Sequence, residues 1–169
     1  MFNFTQGRLY LNNVLFRIRA NENRRNCTFC IVKGKQELAI RGINQDRPEY
    51  EYYLGLLPAE TVDHLFWECE HVQGIIQKTY RWVMGAEEGR VMLQPAVKEN
   101  FMRGKGMEAK KHTICDLVWK HFVKFFIYQC RIRRKIPNFG SLVYELKGLG
   151  HRTRSLGWTS YITQIREVE

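Results

Sequence analysis

Residues 60–72 read ETVDHLFWECEHV, and residues 26–30 read NCTFC. How these two stretches relate decides the fold. Cys27-x2-Cys30 places two thiolates on one tight turn, both able to reach a single ion at about 2.3 Å. His64 and Cys69 lie a little over one helical turn apart, so a helix carrying them sets a nitrogen and a sulfur along one edge. The four together make Cys-Cys-His-Cys, a closed tetrahedral set suited to one structural Zn2+ ion, with no open position for a substrate water. His71 is the rival fourth ligand, but two residues after Cys69 is poor helical geometry for the same ion. Glu60, Thr61 and Asp63 suit an N-terminal turn, where a hydroxyl and carboxylates favour the free N–H groups, and Glu60 and Asp63 are candidates to support the ligands from behind. Leu65, Phe66 and Trp67 read as packing residues.

The pattern outward from these segments is mainly helical. Leu11, Val14, Leu15 and Ile18 recur at helical spacing within 8–20, although 14–18 alternates enough to admit a short strand. Residues 31–58 are mixed: IVKGKQELAIRGI admits a short hairpin, and NQDRPEYEYYLGLLP reads as an acidic, tyrosine-rich loop. Residues 60–84 read as a helix that Gly74 divides. Residues 91–110 form a basic, glycine-containing connection with a tip near Gly104–Gly106. The strongest helix spans 110–135. At about 100° per residue, Ile114, Val118, Phe122, Phe125, Phe126 and Ile132 gather on one side, which is expected to pack. Lys120, Lys124, Arg131 and Lys135 gather opposite, as an exposed basic stripe. Pro137 ends this helix, and 140–149 makes a shorter one. Beyond it lie a basic turn and an amphipathic tail.

The chain has 169 residues and a formal net charge of +10. Residues 1–85 hold 11 Lys+Arg against 9 Asp+Glu, whereas 86–169 hold 16 against 8. A lopsided basic half points to a polyanion partner, foremost a nucleic acid. No run of apolar residues is long enough to span a bilayer, and Arg8 and the asparagines interrupt the N-terminus as a signal peptide. Five cysteines without such a signal argue against a disulfide framework and for a reducing compartment, nucleus or cytoplasm. Cys115 and Cys130 read as packing thiols.

At this point the motifs carry a resemblance. Cys27-x2-Cys30 followed by Glu60-Thr61, His64, Leu65-Phe66 and Cys69, with Trp82 further on, resembles the zinc-binding region at the C-terminal end of non-LTR (LINE-type) retrotransposon reverse transcriptases. The aromatic-basic stretch FFIYQCRIRRKIPNF also looks like the tail that follows this region. The 33 residues between Cys30 and His64 exceed the family's usual spacer, so they form either an inserted loop or a sign of different pairing. The resemblance implies a non-catalytic grip on template RNA or target DNA during target-primed reverse transcription, with the catalytic domains elsewhere in a polyprotein. It implies no membrane and no small-molecule substrate.

The expected architecture is mainly α: a small zinc-knuckle module packed with a helical bundle. Residues 1–85 would hold the zinc-binding module, with an N-terminal helix and a long inter-ligand loop. Residues 86–169 would hold a basic helical region. Arg24, Arg25, Lys120, Lys124, Arg131, Arg133, Arg134, Lys135, Arg152 and Arg154 are the candidate nucleic-acid contacts, backbone-weighted and salt-sensitive. The alternative is a zinc-braced helical module that docks on an acidic protein. A metal-dependent nuclease built on Asp46, Glu49 and Glu51 is the third and weakest reading, since a solvated acidic loop explains those residues. No polymerase or phosphate-loop motif is present.

Overall fold

The computed structural model describes residues 25–84, 98–99, 101–102 and 118–152. Among these the protein is mostly helical and has no strand, save for one isolated antiparallel bridge between Asn26 and Ala59. None of the described helices is long and apolar enough to cross a membrane. The expected elements at 8–20 and 91–97, the glycine tip, Cys115 and the C-terminal tail lie outside the described residues.

The chain divides into two units. The first holds residues 25–73 together with Gln129–Ile136. Here the expected hairpin and long loop are replaced by two helices, α1 (Thr28–Ile40) and α2 (Pro48–Gly55). Gly42, within the stretch that admits a hairpin, is a helix stop. Gly42 has φ +70°, its N–H donates to the Ala39 carbonyl, and the Ile43 N–H donates to the Leu38 carbonyl. This is a left-handed C-terminal cap, and glycine adopts it without a Cβ penalty. Ile43 then folds back onto Leu38, Tyr50 and Leu54. Pro48 is the first residue of α2, where its missing N–H costs nothing. Glu49 and Glu51 lie in that first turn, where the helix dipole favours carboxylates, so the acidic loop is a helix start. Gly34 lets α1 and α2 approach closely: a Cβ there would lie 3.1 Å from the Tyr53 ring. The Tyr53 hydroxyl donates to Glu37 across the same contact at 2.9 Å.

The helix expected over 60–84 is two pieces. A π-helical turn spans His64–Glu68, Cys69 is extended (φ −63°, ψ 121°), and α3 (Glu70–Met84) starts after it. Gly74 lies inside α3 and does not break it. Leu65, Phe66 and Trp67 are all buried, as packing residues should be.

Of the described residues, the second unit holds 74–84, 98–99, 101–102, 118–128 and 137–152. A second π-helical turn, Val118–Phe122, leads into α4 (Val123–Ile132), which runs on into the first unit. Next comes α5 (Phe139–Arg152). The Asn138 side chain accepts from the Ser141 N–H at 2.8 Å and so caps α5. Among the described residues of this unit, Ile75, Ile76, Phe101, Val123, Phe126, Ile127, Tyr128, Leu142 and Leu146 are buried apolar side chains. The α4 face is rotated from the expected one. Lys120 and Lys124, expected on an exposed stripe, are buried, whereas Phe125 and Ile132, expected to pack, are 38% and 55% exposed. A π turn inserts a residue into the helical register, so a uniform 100° wheel drawn through 118–122 loses phase. Lys124 also has an acceptor that the wheel could not show: its Nζ donates to the Phe101 carbonyl at 3.0 Å.

Candidate metal centre

The two ligand segments meet through their backbones. The Cys27 N–H donates to the Pro58 carbonyl and the Glu60 N–H to the Arg25 carbonyl, both at 2.8 Å. The Asn26 side-chain amide donates to the Leu57 carbonyl. These bonds close the 33-residue gap, with α1 and α2 folded inside it. Cys27 then precedes α1, and Cys30 lies in its first turn.

His64 and Cys69 are aligned by the π turn. At about 100° per residue, five α-helical steps would set them about 140° apart, too far for one ion. Here the Cys69 N–H donates to the His64 carbonyl at 2.8 Å, an i→i+5 bond that stacks the two residues on one face. The Thr61 hydroxyl accepts from the His64 N–H at 3.0 Å and caps the turn from its start.

The result is a cluster. Cys27, Cys30, His64 and Cys69 bring their donor atoms within 4.8 Å of one another, close enough to hold one metal ion. Cys27 Sγ lies 3.9 Å from Cys69 Sγ, and Cys30 Sγ lies 3.8 Å from Cys69 Sγ. Cys30 Sγ lies 3.5 Å from His64 Nε2. The three cysteines are buried and His64 is half-buried. Hydrogen bonds from Cys30 and Cys69 hold the Cys27 thiol far below its usual range. The same contacts act in reverse on its neighbours: Cys30 is pushed up to about 12 and Cys69 is also raised, each chiefly by its bond with Cys27. His64 is raised as well, first by its bond with Cys27. Without an ion the cluster therefore centres on one thiolate, Cys27, and a bound cation would displace the protons of the other donors. His71 stands outside the set and lies 3.4 Å from the Glu70 carboxylate.

Glu60 is the residue whose role exceeds its sequence signal. It is fully buried and reaches partners far along the chain. Its Oε2 accepts from the Thr28 N–H at 2.8 Å and the Thr28 hydroxyl at 2.7 Å, capping the start of α1. Its Oε1 accepts from Arg131 Nε and Nη2, both at 2.8 Å. Separations of 32 and 71 residues leave no local pattern to betray these partners. Arg131 is therefore an internal brace of the metal centre, which corrects its place in the exposed stripe.

The remaining cationic candidates divide in the same way. Lys120 and Lys124 are buried, so they leave the exposed row. Arg25, Arg133, Arg134 and Lys135 are exposed and belong to the metal-bearing unit. Arg24, Arg154 and the side chain of Arg152 lie outside the described residues, as does the Trp82 side chain. Arg134 has φ +53°, the single left-handed non-glycine among the described residues. Its N–H donates to the Arg131 carbonyl and the Lys135 N–H to the Cys130 carbonyl, so it occupies in α4 the cap position that Gly42 fills in α1. Asp46, Glu49 and Glu51 join no metal-holding group among the described residues.

Comparison with family models, curated proteins and solved structures finds no match to this chain.

Proposed function

We propose that the chain is a zinc-stabilised nucleic-acid-binding domain. It would serve a retroelement reverse transcriptase protein in the nucleus or cytoplasm and grip template RNA or target DNA during target-primed reverse transcription. The zinc assignment rests on the cluster's edges. Ligand bonds of about 2.3 Å to sulfur and 2.0–2.1 Å to nitrogen, at tetrahedral angles, give edges of about 3.8 Å between sulfurs and about 3.5 Å from sulfur to nitrogen. Three of the six edges are 3.8, 3.9 and 3.5 Å, and all six lie within 4.8 Å. Three thiolates and an imidazole in a tetrahedron suit zinc by softness and geometry. Four protein donors leave no open position, so the ion braces the fold, and the reading assigns no reaction to this chain.

The observation that carries the binding reading is the turn Arg133–Arg134–Lys135. Three exposed cations stand together where the chain leaves α4, and the middle one occupies a backbone position that favours glycine. A left-handed arginine costs on the order of 1 kcal/mol, a sacrifice consistent with use of its guanidinium. Arg131 ties the residues just before this turn to Glu60 and so to the metal-ligand segments. The family resemblance of the Cys/His motif and the overall charge of +10 point the same way.

Salt-titrated binding to RNA, single-stranded DNA and duplex tests the reading. Charge reversal at Arg133, Arg134 and Lys135 should weaken binding and flatten the salt slope by roughly 0.7–0.9 per lost phosphate contact. Equal binding by the reversed variant contradicts it. The inward turn of Lys120, Lys124 and Arg131 favours a second reading, a zinc-braced docking module for an acidic protein. That reading predicts no nucleic-acid binding even at low salt.

A further inference from the structure

We propose that the metal centre loads and unloads through one edge, Cys30–His64, and that His71 is the transient ligand that carries the ion across it. This rests on the zinc reading above and deepens it. The four donors are unequally sealed: Cys27 and Cys69 are 0% exposed, Cys30 is 7% exposed and His64 is half-buried. A cavity of about 320 Å³ borders Cys30 and His64 and touches neither Cys27 nor Cys69. At about 30 Å³ per water, it has room for roughly ten waters, enough for a partly hydrated ion or one arm of a chelator. Its walls include Glu37, Glu68 and Glu70 against Lys33, a negative balance that concentrates cations.

His71 lines the same cavity as the second imidazole beside His64. Its Nε2 lies 3.4 Å from Glu70 Oε1, a carboxylate–imidazole pairing of the kind that orients metal ligands. Zinc tolerates a fifth ligand in passing. Release then proceeds by exchange: a His71–metal bond forms as the His64–metal bond breaks, so the ion is never stripped to water in one step. The freed donors take up protons from the cavity water, and loading runs the same steps backwards.

The zinc-loaded full chain, mixed with the chelator 4-(2-pyridylazo)resorcinol, reads release; the apo chain mixed with zinc sulfate reads uptake. His71→Ala should slow both rates roughly tenfold while Kd stays unchanged, the mark of a raised barrier between unaltered end states. Lys35→Gln, exposed and outside the cavity wall, should match the wild type. Unchanged rates in His71→Ala overturn the proposal, as does a weakened Kd with faster release, which would make His71 a resident ligand. One tightly held zinc with unaltered rates removes the exchange route alone, whereas a wild-type chain that binds no zinc removes the metal reading itself. Timed N-ethylmaleimide labelling of the zinc-loaded wild type, with peptide mapping, gives a readout that needs no variant. Cys30 should be modified before Cys27 and Cys69, and the reverse order overturns the proposal.

Discussion

Removing the Glu60 carboxylate should be among the most damaging single changes in the first unit. Glu60 is 0% exposed, and its two oxygens accept from Thr28 and Arg131 at 2.7–2.8 Å. Glu60→Ala strands the Arg131 guanidinium, whose side chain is only 10% exposed, and frees the Thr28 N–H at the head of α1. Charge-assisted bonds contribute about 1.5–3 kcal/mol each, but they share one desolvation cost and do not add. Breaking a buried ion pair from one side typically costs about 3–5 kcal/mol, and that is the expected loss. A domain stable by about 5–15 kcal/mol would be left marginal or unfolded. Urea unfolding at saturating zinc measures the loss, with Arg131→Met and the double variant Glu60→Ala/Arg131→Met closing the cycle. Each single change should cost more than the double, because the double leaves no buried charge unpaired. The double variant should also bind nucleic acid within about twofold of the wild type if the guanidinium is given over to Glu60. A loss below about 1 kcal/mol in Glu60→Ala would place the pair in solvent and refute the reasoning.

Three further outcomes follow from the geometry. Arg134→Gly should raise stability by about 0.5–1 kcal/mol in thermal melts, because glycine relieves the left-handed strain, and should weaken nucleic-acid binding in the same preparation; a variant that gains neither stability nor a binding defect contradicts the role given to this turn. Lys124 is drawn down to about 8 by burial and then by Lys120, so between about pH 8 and its unfolded value near 10.4 the unfolded chain binds more protons. Stability should therefore rise with pH across that window and be lost as pH falls through about 8. The wild type should gain on the order of 2 kcal/mol over Lys124→Met, and parallel pH curves would show a solvated ammonium. Protons compete with the metal for three thiolates and an imidazole, so zinc release followed by a zinc-responsive dye should steepen below about pH 6, with helicity falling in step; helicity that outlasts the metal would separate fold from ion.

The ligand set was legible because its information is local. Cys27-x2-Cys30 and His64-x4-Cys69 are short spacings with direct chemical meaning, and the four donors converge as that chemistry requires. The path between them was less legible. Gly42 carries the same letter whether it turns a hairpin or stops a helix, and only the Ile43 contact with Leu38 decides. The π turn at His64–Glu68 was invisible to a uniform helical wheel, although the four-residue spacing of His64 and Cys69 required it once both were assigned to one ion. Lys120, Lys124 and Arg131 were misplaced because a wheel assumes that charges face water. Their burial depends on partners such as the Phe101 carbonyl and Glu60, which only the fold brings near. Glu60 looked like an ordinary helix-start acid for the same reason.

X-ray absorption at the zinc edge, with metal content measured on the same sample, addresses the central claim most directly. One zinc per chain is expected, with three sulfurs at about 2.3 Å and one nitrogen at about 2.0–2.1 Å, and Cys27→Ser should remove one sulfur or abolish binding. A chain that purifies without zinc, or a first shell built only of oxygen and nitrogen, would contradict the account.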